Sequence, residues 1–303
     1  MTYVSEKAQP PCATASPDPS VYEGGAPDAP DAPQTQDAPG APDVMEYIEA
    51  LKASEKLGPQ VCWHCSFPAV PARHAGTARP WPRAMDTVPR ELSIQGPYSH
   101  QAQAIDALRS GRNVMVATPT ASGKSLVYTL PVIENYLRDP DARALFLFPL
   151  KALAQDQLAS FRAMTGHWPE EARPGAAVYD GDTSPHFRRK IRLNPPQVLL
   201  TNPEMLHLSL LPHHQLWATL FAGLSLVVVD EVHTYRGILG SHMAQVFRRL
   251  QRVAAHYGAS PVFAFCSATV GNPVELAASL TGQSGDKQPV PVLESGAPPG
   301  RRA

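Results

Sequence analysis

A doubly wound α/β domain on a mainly parallel sheet, preceded by a disordered N-terminal tail, is the fold this sequence predicts. Three observations predict it. Six short apolar runs, near residues 113–117, 144–148, 176–179, 197–200, 225–230 and 262–266, alternate with helical stretches. Runs this apolar on both faces belong to a parallel sheet covered by helices. The first run feeds Ser122-Gly123-Lys124-Ser125, a glycine turn that opens onto a helix. The fifth ends in Asp230-Glu231, which puts two carboxylates at the exposed end of a buried strand. Ligands of such folds gather at the carboxyl ends of the strands, where both motifs fall.

Taken in order, the chain opens on a stretch that repeats Ala, Pro and Asp (GAPDAPDAP, QDAPGAPD) with almost no large apolar residue. It cannot bury enough surface to offset its ordering entropy, so residues 1–42 are expected to be disordered. Asp43, with Glu46 three residues on as a capping box, starts a helix whose apolar face is Met45, Ile48 and Leu51 and whose stop is Gly58. Residues 59–88, rich in Pro, His and Arg, read as an extended connection. Ser99 to Leu108 reads as a short helix closed by Gly111. The expected organisation is a tail (1–42), a helical and extended segment (43–94), the α/β domain (95–294) and a connecting stretch (295–303).

Composition narrows the class. A chain of 303 residues with 43% hydrophobic and 17% charged residues holds a sizeable core. No apolar run approaches a membrane span, and Met1 to Pro11 lacks a leader pattern, so a soluble, unexported protein is expected. Cys12, Cys62, Cys65 and Cys266 are too few and too unevenly placed for a disulfide framework, which points to a reducing cytoplasm. Cys62-Trp63-His64-Cys65 carries suitable zinc ligands but no fourth one nearby, and no zinc site is expected there. The net charge of −1 conceals an asymmetry. Residues 1–43 carry seven acidic groups against Lys7 alone, which leaves the remainder mildly basic and compatible with phosphate partners.

The two motifs have a definite chemistry. Thr118, Thr120, Ala121, Ser122 and Gly123 form a loop that turns backbone N–H groups and a helix N-terminus toward one point, which suits a polyphosphate. Lys124 is expected at the β- and γ-phosphates and the Ser125 hydroxyl on Mg²⁺. Thr118 replaces the usual first glycine and Ala121 is a second departure from the general pattern. Asp230 is expected to hold Mg²⁺ through water, and Glu231 to orient or deprotonate the attacking water. Lys151 and Asn202 each begin a helix after a strand, where free N–H groups favour a phosphate. Phe187 to Arg192 reads as a solvated helical face.

This set of residues resembles the first motor domain of the superfamily 2 helicases of the DEAD/DEAH-box type, from about Tyr98 to the last residue. Gln101 matches the glutamine that reads the adenine edge in these proteins, with Tyr98 placed to pack on the ring. Thr118 to Ser125 matches motif I, Phe148 to Leu153 motif Ia, Thr201-Asn202-Pro203 motif Ib, Asp230 to His233 motif II, and Ser267-Ala268-Thr269 motif III. DEVHTYRG, YDGDT, TNPEMLH and SGAPPGRR resemble more narrowly the YprA-like bacterial helicases, related to the mitomycin-repair helicases. The resemblance implies a RecA-like domain that uses ATP and Mg²⁺ and moves 3′ to 5′ on DNA. It further implies that Pro149, Lys151, Thr201, Asn202 and Pro203 touch the sugar-phosphate backbone, and that Ser267 and Thr269 couple nucleotide state to the strand. His233 is the DEAH-like variant, and its usual partner lies in a second RecA-like domain, supplied in cis or in trans. That domain also supplies arginines to the γ-phosphate, so this polypeptide alone is expected to bind ATP weakly, hydrolyse it slowly and leave duplexes intact. The alternatives are a free-standing nucleotide-binding module without helicase activity, an RNA rather than a DNA helicase, and a nucleotide kinase, against which Gln101 and Ser267-Ala268-Thr269 speak.

Overall fold

The computed structural model describes residues 44–64, 70–85, 96–268, 270–283, 285 and 288–298. The expectations for the tail 1–42, Asp43, Cys12, Cys65, Thr269 and residues 299–303 lie outside the described residues. The chain divides into two units, one ending at Cys65 and the other beginning at Ser66.

In the first unit, α1 (Val44–Ala53) ends five residues before the expected stop at Gly58. The chain turns back instead: the Gly58 N–H donates to the Ser54 carbonyl at 2.8 Å, and a Cβ at Gly58 would stand 2.3 Å from the Lys52 carbonyl oxygen. Glycine is needed there for close approach to the helix end, after the helix has finished.

Among the described residues the second unit holds seven parallel strands: β1 (Val114–Ala117), β2 (Arg143–Leu147), β3 (Ala176–Val178), β4 (Val198–Thr201), β5 (Leu224–Val229), β6 (Val262–Ser267) and β7 (Val290–Val292). Their order across the sheet is β3-β4-β2-β5-β6-β1-β7, with every pairing parallel. Between them run α2 (Ser99–Arg109, ahead of β1), α3 (Lys124–Arg138), α4 (Lys151–Thr165), α5 (Pro185–Leu193), the short α6 (Pro203–Met205), α7 (Ala218–Ala222), α8 (Gly237–His256) and α9 (Pro273–Thr281). Alternate residues of each strand feed opposite cores. Val114 and Val116 face a core with Tyr128, Ile133 and Phe161, while Met115 and Ala117 face one with Phe247, Leu250 and Leu280. Strands covered on both faces give the continuous apolar runs read in the sequence. Cys266 is fully buried in β6, and burial pushes its thiol pKa well up, so it stays a protonated core group.

Residues 70–85 strap the outside of α2. The Ala78 N–H donates to both oxygens of Asp106, at 3.1 and 2.9 Å, and the Arg109 guanidinium lies 3.8 Å over the Trp81 ring. Arg109 also pairs at 2.7 Å with Glu134 of α3, and both side chains are buried. This pair pins α2 to α3, the helix that follows the Thr118–Gly123 loop. Among the described residues no helix is long and apolar enough to cross a membrane.

Candidate functional site

The carboxyl edge of the sheet sorts the motifs by strand order. Ala117 of β1 lies in register with Ser267 of β6, and Phe265 of β6 with Val229 of β5. The loop after β1, the acidic pair after β5 and the serine ending β6 therefore stand on three adjacent strands, although 150 residues separate Ala117 from Ser267 in sequence. On the other side, Leu147 of β2 is in register with both Val229 and Thr201, so the turns after β2 and β4 sit beside the acidic pair.

The loop Thr118–Gly123 is held from within and from below. Thr118, fully buried, has its hydroxyl 2.7 Å from that of Ser122, so the residue in place of the usual glycine cross-braces the turn. Ala121 and Gly123 both take left-handed backbone, with φ of 60° and 74°, while Thr120 and Ala121 lie exposed at the crest. The Lys124 ammonium donates to the Thr118 and Pro119 carbonyls at 3.0 and 2.9 Å, curling back over the crest where an anion would lie. Ser125 follows in the first turn of α3.

Gln101 is 1% exposed; its Nε2 donates to the Gly123 carbonyl at 2.8 Å, and its Oε1 accepts the Tyr98 N–H at 2.8 Å. One N–H and one lone pair of the amide are left for a base edge. The Tyr98 ring lies between two imidazoles, with centroids 4.9 Å from His74 and 5.9 Å from His100. His100, passed over in the sequence, is 1% exposed and meets the Ser122 carbonyl through Nε2 at 3.1 Å. Nothing in a helix-forming run SHQAQ signals that role.

Asp230 is half-buried and accepts the Glu231 N–H at 2.9 Å. Desolvation raises its pKa to about 6; the Glu231 N–H bond and the charges of Lys124 and His233 oppose the shift, while Glu231's own charge adds to it. Glu231 is strained, with φ of 48° on a non-glycine residue, as functional positions often are. Its Oε2 lies 3.1 Å from His233 Nδ1, which is also 3.2 Å from the Ser267 hydroxyl. The sequence leaves His233 without a partner in this chain; the structure supplies two. Ala268 follows Ser267, half-buried.

Beside this cluster runs a groove of about 700 Å³ whose lining includes Pro149, Lys151, Asn202 and Pro203. Four of the five residues expected at a strand thus share one wall. Asn202 caps α6 by accepting the Met205 N–H at 2.8 Å, and Lys151 pairs with Asp182 at 2.7 Å, a bond that raises its pKa. Thr201 is 1% exposed and donates its hydroxyl to the Tyr179 carbonyl at 2.6 Å, so it braces β4 to the chain leaving β3 from behind the groove. The facing wall comes from α8: Leu239, Met243 and Val246 give an apolar floor, with Arg249 and Arg252 as cations and His242 among them. Arg249 and Arg252, three apart on one helix face, are residues the motifs do not reveal. In α5, Arg188 donates to the Asp180 and Gly181 carbonyls at 2.8 and 2.9 Å, Ile191 is buried, and the rest of Phe187–Arg192 faces solvent apart from half-buried Arg188.

Among the described residues no three His, Cys, Asp or Glu side chains cluster as a metal site would require.

A family model described as DEAD/DEAH box helicase matches residues 98–277. The chain is 42% identical over 260 residues to the uncharacterized ATP-dependent helicase YprA of Bacillus subtilis, covering 84% of this chain and 33% of YprA. It is 40% identical over 258 residues to the ATP-dependent helicase HRQ1 of Saccharomyces cerevisiae, covering 84% of this chain and 23% of HRQ1. The DUF1998 helicase MrfA, solved with DNA and AMPPNP, superposes with a TM-score of 0.76 at 40% identity, over 86% of this chain and 35% of MrfA. The chain therefore spans about a third or less of the length of these relatives.

Proposed function

Because the chain belongs to the DEAD/DEAH box helicase family, we propose that residues 95–294 are the ATP-binding and strand-binding half of a DNA helicase motor that serves DNA repair. The observation that carries the proposal is the placing of the phosphate loop, the acidic pair and Ser267 on adjacent strands β1, β5 and β6, with a cation-walled groove beside them. ATP use follows from the family. The residue roles, Mg²⁺, the DNA strand, the direction of movement and a second RecA-like domain in cis or in trans belong to the proposal.

In this reading the loop amides and the N-terminus of α3 receive the triphosphate, and Lys124 exchanges the Thr118 and Pro119 carbonyls for phosphate oxygens. The Ser125 hydroxyl and the Asp230 carboxylate are hard oxygen donors, which suit Mg²⁺ rather than a softer ion. When bound, that ion would offset phosphate charge. Glu231 orients the attacking water, and His233 fixes the Glu231 carboxylate while touching Ser267. Gln101 offers its remaining donor and acceptor to the adenine edge, with Tyr98 alongside. In the groove, Lys151, Arg249 and Arg252 meet phosphates while Pro149, Asn202 and Pro203 fix register, contacts that position a strand without reading its bases. The DNA held by MrfA supports DNA as that strand, and RNA is the competing ligand. The strap 70–85 and residues 294–298 pack on this body, the tail 1–42 stands apart from the motor reading, and the reducing cytoplasm is its proposed setting.

Titration of the full chain with fluorescent AMPPNP, in Mg²⁺ and in EDTA, tests the proposal, followed by titration with single-stranded DNA and RNA of one sequence. Saturable binding that needs Mg²⁺ and is lost in Lys124→Ala is expected, whereas Glu231→Gln should bind and fail to hydrolyse. Absence of any occupancy at millimolar nucleotide would overturn it.

A further inference from the structure

The two ring nitrogens of His100 are bonded to backbone groups from distant parts of the chain. Nε2 lies 3.1 Å from the Ser122 carbonyl oxygen in the phosphate loop, and Nδ1 accepts the Gly296 N–H at 3.1 Å, across 196 residues. A carbonyl only accepts and an amide N–H only donates, so the ring proton sits on Nε2 and Nδ1 offers its lone pair. One neutral tautomer satisfies both bonds. Burial holds the imidazole pKa below its ordinary value; the Ser122 bond opposes that shift and the nearby charge of Lys124 adds to it.

Gly296 is clamped from its other side too. Its carbonyl accepts the Arg73 N–H at 2.8 Å, and the Arg73 carbonyl accepts the Ser99 N–H, also at 2.8 Å. A Cβ at Gly296 would stand 2.4 Å from Ser99 Oγ and 2.6 Å from the Arg73 carbonyl oxygen, so only glycine lets the segment lie this close to the start of α2. One residue on, Gln101 holds the Gly123 carbonyl. Two consecutive residues of α2 thus hold two consecutive carbonyls of the phosphate loop, and one of them reaches on to Gly296.

We propose that His100 is a positioning residue that couples nucleotide binding in the phosphate loop to docking of the Glu294–Pro298 segment against α2. The inference rests on the nucleotide site proposed above and assigns that site a regulator within the chain. With the segment docked, the Gly296 N–H fixes the ring, the ring fixes the Ser122 carbonyl, and the amides on the far side of the loop keep their aim at the phosphates. With the segment displaced, Nδ1 loses its donor, the ring turns freely and the Ser122 carbonyl is released. Coupling between two sites is reciprocal, so nucleotide must tighten the segment by the factor by which the segment tightens nucleotide.

A double-mutant cycle on the full chain tests this, with fluorescent AMPPNP affinity and hydrogen exchange at the Gly296 amide as readouts. Gly296→Ala and His100→Phe should each weaken AMPPNP by roughly three- to tenfold, the worth of one neutral hydrogen bond, and the double variant should be no weaker than the worse single. In the wild type, AMPPNP should slow exchange of the Gly296 amide; in His100→Phe it should not. His100→Gln keeps a donor near the Nε2 position but loses the acceptor at Nδ1, so AMPPNP affinity should recover toward the wild type and cease to respond to Gly296→Ala. Should His100→Phe lose its cooperative melt, the cycle run with His100→Gln decides the question. Additive losses in the cycle, or Gly296 exchange indifferent to AMPPNP in the wild type, overturn the coupling. A wild-type chain that takes up no AMPPNP would sink the nucleotide reading as well, and that result is distinguishable from an additive cycle.

Discussion

His233 and Ser267 meet at 3.2 Å through Nδ1 and the hydroxyl, with the Glu231 carboxylate 3.1 Å from the same nitrogen. One nitrogen thus stands against both oxygens, so a change at His233 or Ser267 alters what lies beside the Glu231 carboxylate. His233→Ala and Ser267→Ala should leave AMPPNP binding within about twofold and slow hydrolysis roughly tenfold, about 1.4 kcal/mol. The double variant should be little slower than His233→Ala. Single-turnover hydrolysis of the three proteins checks it, and independent, multiplying losses would show that the histidine does not act through this contact.

Two left-handed positions in one loop differ in what a substitution does. A methyl at Gly123 would sit 2.6 Å from Gln101 Nε2 at φ 74°, so Gly123→Ala should destabilise the chain by about 2 kcal/mol through strain and displacement of Gln101. Ala121, exposed at φ 60°, already bears such strain, and Ala121→Gly should change stability by less than about 1 kcal/mol, because relief of strain offsets the freedom glycine gains when unfolded. Urea unfolding of both variants reads the difference.

Asp230 ties stability to pH. Its folded pKa of about 6 lies above the ordinary carboxylate value of 3.8, so between those values the folded chain binds a proton that the unfolded chain does not. The sign follows: the contribution of Asp230 to stability is fully present below the lower value and is lost as pH rises through the folded pKa, by up to roughly 3 kcal/mol. In EDTA without nucleotide, Asp230→Asn should therefore be more stable than the wild type at pH 8 and no better at pH 4. Thermal melts across that range measure it, and equal gains at both ends would show that burial of the charge is not the cause.

Arg249 and Arg252 form no ion pair among the described residues, whereas Lys151 shares its charge with Asp182. If α8 forms the second wall of a strand site, each arginine removed should lower the slope of log affinity against log salt by about 0.7, the value for one single-strand phosphate. Fluorescence anisotropy of labelled single-stranded DNA at several salt concentrations gives the slope for Arg249→Ala and Arg252→Ala. Asp182→Asn should strengthen binding by releasing Lys151. An unchanged slope in both arginine variants removes α8 from the strand site.

Six of the seven strands among the described residues were legible because each is a short apolar run bounded by turn signals, although β3 is only half-buried at the sheet edge. β7 was not: it is three residues long, carries Pro291 at its centre and lies at the sheet edge, beside β1. The helix predicted up to Gly58 ends early because the glycine serves the returning chain, a use that a start-and-stop pattern does not distinguish from a helix stop. In the candidate site, what was legible locally is the placement of Lys124 and Ser125 at a helix start just after β1 and of Asp230 and Glu231 just past β5, because a glycine turn and the end of an apolar run are local patterns. The brace from Thr118 to Ser122 was open to inference only as a departure from the usual glycine.

The order of residues by itself determined which side chains carry charge, where each buried strand stops and which turn exposes its amides, because these depend on neighbours within a few positions. Only the tertiary structure decided that β1, β6 and β5 lie side by side, that α8 faces the turns after β2 and β4, and that His100 joins Ser122 to Gly296. Those relations are settled by the packing of two cores against opposite faces of one sheet. Packing energy depends on which surfaces meet across the fold, and residues 150 or 196 positions apart in sequence leave no local trace of meeting.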